Sequence, residues 1–90
     1  MSVTANILPY LRHNTEGKSR IEVEGRTVAQ CLNALIEHFP GLRTVLFDEG
    51  GNLLDYVDVY VNGESSYYKG QDMQVEDGDE LHIILLIEGG

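Results

Sequence analysis

Ninety residues with 42% hydrophobic content, a mean hydropathy of −0.18 and a formal net charge of −9 describe one small folded domain with a modest core, not a disordered chain. The acid excess is lopsided: residues 1–45 carry four acids and five bases, whereas residues 46–90 carry eleven acids and one base, Lys69. This balance disfavours nucleic acid, whose phosphates need a basic face, and no apolar run approaches the roughly 20 residues of a membrane span.

The start, Met1-Ser2-Val3-Thr4, lacks the basic and apolar regions of a signal peptide, so a cytoplasmic location is expected. A single cysteine, Cys31, allows no internal disulfide, four-cysteine metal site or iron–sulfur cluster. The acidic second half either serves solubility or steers this half towards a basic partner surface.

In chain order, Val3, Ala5 and Ile7 alternate with Thr4, Asn6 and Leu8, predicting a first strand that ends near Pro9. The polar stretch Arg12 to Ser19 reads as a loop around Gly17, and Ile21 and Val23 give a second strand ending at Gly25. These two strands form a hairpin.

The helix is the clearest local signal. Thr27 is a good N-cap, with Gln30 three residues on to complete a capping box. Val28, Cys31, Leu32, Leu35, Ile36 and Phe39 form one apolar stripe at helical spacing, and Pro40-Gly41 stops it. On that stripe Cys31 reads as a small buried hydrophobe, not a redox thiol. Leu42 to Tyr56 is irregular, with a helical turn near Thr44-Phe47 and a loop at Gly50-Gly51. That glycine pair lacks the following Lys-Ser/Thr of a phosphate loop.

Val57, Val59 and Val61 alternate with Asp58 and Tyr60 in a third strand, and Asn62-Gly63 supplies a tight turn. Ser65 to Gly70 has room for one short strand, with Tyr67-Tyr68 packed at the sheet edge. Asp77-Gly78-Asp79-Glu80 then turns the chain into a last strand. There Leu81, Ile83, Leu85 and Ile87 share one face, the first three as core residues, and His82, Ile84, Leu86 and Glu88 share the other. His13, His38 and His82 have no spacing typical of metal ligands and belong on the surface. One helix across a small mixed sheet of four to five strands is the economical α+β solution.

The chain then stops at Gly89-Gly90. Glycine orders at the highest entropic cost and packs no side chain. A tail without side chains can, however, thread a narrow channel and present its own carboxylate. We therefore divide the chain into a domain over residues 1–86 and a tail over residues 87–90. Five residues from Leu86 to Gly90 span at most about 17 Å, enough to enter a partner's cleft.

Several segments together resemble one family. Thr27-Val28 opens the helix and Phe39-Pro40-Gly41-Leu42 closes it; Val59-Tyr60-Val61-Asn62-Gly63, Asp77-Gly78-Asp79-Glu80 and Gly89-Gly90 follow. In this order and at this length the chain is similar to the ubiquitin-like β-grasp sulfur carriers of the MoaD/ThiS family. The segment Tyr56 to Asn62 resembles carriers of the CysO type. Leu86-Ile87-Glu88 departs from the prolines or small residues that many molybdopterin carriers place there, and from the basic residues of ubiquitin.

The resemblance implies a protein substrate, not an enzyme, that binds no cofactor of its own. A free α-carboxylate, with a pKa of about 3.5, is ionised and a poor electrophile at neutral pH. The family chemistry answers this by adenylation of Gly90 in an ATP-dependent activating enzyme, then conversion to a thiocarboxylate whose sulfur goes to a biosynthetic enzyme of the cysteine, methionine, thiamine or molybdopterin type. Two rivals stay open: a modifier conjugated to lysines through Gly90, and a plain β-grasp interaction module. For the partner surface, His82, Ile84, Leu86 and Glu88 stand next to the tail and are the candidates; a loop of the same domain covering them is the alternative.

Overall fold

A computed structural model describes residues 2–86 of the chain. Strand β1 (Ser2–Asn6) and strand β2 (Arg20–Glu24) pair antiparallel, with Val3 opposite Val23 and Ala5 opposite Ile21. Helix α1 (Val28–His38) follows, then a short α2 (Arg43–Leu46), β3 (Val57–Val61), the two-residue β4 (Glu64–Ser65) and β5 (Glu80–Leu85). The sheet order is β2-β1-β5-β3-β4. Strand β5 is thus central: it runs parallel to β1 and antiparallel to β3.

The alternation read from the sequence sets the faces correctly. Val3, Ala5, Ile7, Val23, Val57, Val59, Val61, Leu81 and Ile83 are buried against Val28, Cys31, Leu32, Leu35 and Ile36 of α1. Ile21 and Leu85 pack on this core from half-buried positions near its margin. The helix begins where its cap predicts: the Thr27 hydroxyl oxygen accepts the Gln30 N–H at 3.2 Å. The Gln30 side chain reaches one residue further back than in a standard box, accepting the Arg26 N–H at 2.8 Å.

Three local expectations are corrected. The stretch read as a loop from Arg12 is a 3-10 helix over Pro9–Thr15, with Pro9 at its first turn, where a missing N–H is harmless. Leu11 is buried beneath it, and the buried Thr15 hydroxyl donates to the Lys18 carbonyl at 2.8 Å. The short strand expected within Ser65 to Gly70 starts one residue earlier and holds two residues, Glu64 and Ser65, before the chain turns away. Tyr67 and Tyr68 do not pack on the sheet edge; they stand 71% and 95% exposed and contact each other edge to face at 5.2 Å.

The turns are tied to one another. Asn62 and Gly63 both take positive φ (50° and 88°), the signature of a type I′ hairpin turn. The Asn62 side chain then receives the Glu80 N–H and donates to Asp79 Oδ1, both at 2.9 Å. Asp77 Oδ1 accepts the Ser2 N–H at 2.8 Å. The entry to β5 is therefore fixed from both sides.

Candidate functional site

The face of the sheet turned away from α1 is the open face. Alternation along β5 puts His82 and Ile84 there, because Leu81 and Ile83 are buried on the other side. His82 is exposed, Ile84 half-buried and Leu86 51% exposed. The structure thus brings three of the four sequence-derived contact residues onto one strip. Glu88, Gly89 and Gly90 lie outside the described residues.

Strand β3 adds residues that the sequence reading left unassigned. Tyr60 pairs with His82 and Asp58 with Ile84, and the Leu86 N–H bonds to the Tyr56 carbonyl. Tyr56 is 49% exposed and Tyr60 half-buried. Their signal was in the sequence, as a strand with aromatic residues on its polar face; what periodicity could not give was that β3 lies beside β5. A cavity of about 380 Å³ opens at this end of the strip, lined by Leu54, Asp55, Asp58, Tyr67 and Leu86 among others.

The residues set aside earlier stay outside this strip. Cys31 is buried on α1, and burial pushes its thiol up, with the Asp79 carboxylate adding to the effect. His13 and His38 are exposed. Among the described residues no group of three or more His, Cys, Asp or Glu is arranged to hold a metal ion. Likewise no helix among them is long and apolar enough to cross a membrane.

The model of the ThiS family matches residues 10–90. The chain belongs to the ThiS family. Over its whole length it is 30% identical to the sulfur carrier protein CysO of Mycobacterium tuberculosis, covering 100% of both chains. It is 35% identical over 72 residues to small archaeal modifier protein 1 of Haloferax volcanii, 79% of each chain. Among solved structures it resembles the complex of BexX and CysO from Amycolatopsis orientalis, with a TM-score of 0.90 at 32% identity, covering 98% of this chain and 99% of that one. This ThiS family chain is therefore a ubiquitin-like β-grasp protein, related to small sulfur carriers.

Proposed function

We propose that this chain carries sulfur on its C-terminus. The observation behind this is the family match, which spans residues 10–90 and so includes Gly90. In this reading residues 1–86 are the docking domain and residues 87–90 the working tail. A Gly90 carboxylate oxygen attacks the α-phosphorus of ATP in a partner enzyme, releasing pyrophosphate and leaving an acyl-adenylate. Hydrosulfide, set free by a sulfur donor, then attacks the carbonyl carbon, the C–O bond to AMP breaks, AMP leaves, and a thiocarboxylate remains. Its sulfur is nucleophilic enough to pass to an acceptor enzyme in a biosynthetic pathway.

The strip of His82, Ile84 and Leu86, continued by Glu88 and flanked by Tyr56 and Tyr60, is the surface that the activating enzyme holds. Exposed aromatic and aliphatic side chains beside the tail suit this role, because contacts there set where Gly90 goes. CysO of Amycolatopsis orientalis has been solved in a complex with BexX, so a relative with this fold does dock to a protein partner.

Intact mass spectrometry tests the proposal. With ATP, the activating enzyme and a sulfur source, the chain should gain the mass difference between sulfur and oxygen, located on Gly90. Removal of Gly89 and Gly90 should abolish the gain while the melting temperature stays unchanged. Sulfur found on Cys31 with an unaltered terminus would refute it. A second reading, conjugation to lysines through Gly90, is favoured by the likeness to small archaeal modifier protein 1. It requires slow-migrating adducts with an isopeptide bond to Gly90.

A further inference from the structure

Asp58 is out of place on the open face. It sits in the middle of β3 opposite Ile84, yet it is 7% exposed. Its Oδ1 accepts the Val59 N–H at 2.7 Å and its Oδ2 accepts the Ser65 hydroxyl at 2.6 Å. Both donors are neutral, and each carboxylate oxygen keeps a lone pair. The ion pairs among the described residues join Arg20 to Glu80 and Lys69 to Glu64, so no described cation answers Asp58. A carboxylate taken out of water without a counter-charge is costly to keep.

The space beside it suits a particular group. Asp58 and Asp55 both line the cavity of about 380 Å³, whose walls include Leu54 and Leu86, with the exposed ring of Tyr67 at its edge. Two acids beside the polar Asn52, Ser66 and Gln71, with apolar walls and a tyrosine, make a poor receptor for an anion or for an aliphatic side chain. A guanidinium matches all three features. It is always charged, sheds water more readily than an ammonium, forks onto carboxylate oxygens and stacks on aromatic rings.

Resting on the proposed function, we infer that this cavity receives an arginine side chain of the activating enzyme, whose guanidinium supplies the counter-charge of Asp58. The position gives the contact a purpose. Leu86 is a wall of the cavity, so an arginine seated there grips the domain at the root of the tail. Residues 87–90 reach at most about 14 Å from that point. The anchor therefore bounds how far the adenylation centre lies from the arginine.

Affinity for the activating enzyme tests this. Asp58→Asn keeps the shape and an acceptor oxygen and removes the charge. It should weaken binding at least about ten-fold, as loss of one member of a desolvated charge pair does. Glu37→Gln, an equal charge change on exposed α1, should stay within about two-fold of wild type. Replacing the enzyme's interface arginines singly by lysine should reveal one whose loss is not additive with Asp58→Asn. If Asp58→Asn fails to fold, the exposed Asp55→Asn takes its place with the same double-substitution test. Equal affinities of the cavity variant and wild type, equal losses for it and Glu37→Gln, or additivity with every arginine would each overturn the inference. An activating enzyme that binds and adenylates wild type and the variant alike leaves the carrier function intact and removes only the arginine site. One that binds neither refutes both.

Discussion

The Leu86 N–H donates to the Tyr56 carbonyl at 2.6 Å, one residue beyond the last paired position of β3 and β5, Val57 with Leu85. The backbone of Leu86 is thus held by the sheet while half of its side chain faces solvent. Of the three described contact candidates, it combines an apolar side chain with the greatest freedom to be changed. Ile84, by contrast, is half-buried, so a charge there perturbs folding as well as docking.

Leu86→Asp should therefore lower affinity for the activating enzyme by about ten-fold or more while the fold stays intact, since an apolar contact at the centre of a docking strip is lost. Binding measured by calorimetry, with circular dichroism as the control, decides the matter. Unchanged affinity places the docking surface elsewhere.

Leu35 and Ile83 are each 1% exposed and face each other's layer across the core. Truncation of either to alanine should cost about 2–5 kcal/mol in urea denaturation, from lost burial and the cavity left behind. Near-neutral effects at both would mean that the two faces of β5 have been exchanged.

Gly25 closes β2 without adopting left-handed backbone, so its need is spatial. A Cβ placed there would lie 2.8 Å from the Cys31 nitrogen and 2.9 Å from Cys31 Sγ. One of these atoms is backbone and cannot swing aside. Gly25→Ala should destabilise by about 1–3 kcal/mol through overpacking, although alanine is normally the better residue for chain entropy. A stabilised variant in thermal melts would contradict this.

Burial raises the Cys31 thiol above its ordinary range in the folded chain. Above about pH 8.5 the unfolded thiol loses its proton while the native one keeps it, so the unfolded state binds fewer protons. Stability must then fall as pH rises, by up to about 1.4 kcal/mol per pH unit from this group, until the native thiol also ionises. Urea midpoints at neutral and alkaline pH should show a decline for wild type that is smaller in Cys31→Ala. Parallel declines would remove Cys31 as the cause.

Much of this architecture is written in short-range patterns. Val57-Asp58-Val59-Tyr60-Val61 alternates with a period of two, and that alone sends Asp58 and Tyr60 to the open face. Thr27 and Gln30 fix the start of α1 by bonds that span three or four residues. The 3-10 helix at Pro9–Thr15 escaped notice because Leu11 and Thr15 are its buried members, too few to show a period. Strand β4 is defined by pairing of Tyr60 with Ser65 and Val61 with Glu64, a property of the neighbouring strand and not of its own two residues. The candidate strip was legible where it lay on β5. Its neighbours Tyr56, Asp58 and Tyr60 came beside it through strand order, which no local pattern encodes.

The central place of β5 has a consequence for truncation. It joins the β2-β1 pair to the β3-β4 pair, and it is the last of the described elements in chain order. Without β5 the β2-β1 pair and the β3-β4 pair share no strand, and the faces that β5 covers with Leu81 and Ile83 are left open. The sheet is therefore completed by the same strand that carries His82 and Ile84 of the candidate strip. A chain that breaks off inside β5 lacks the continuous sheet and the candidate strip alike.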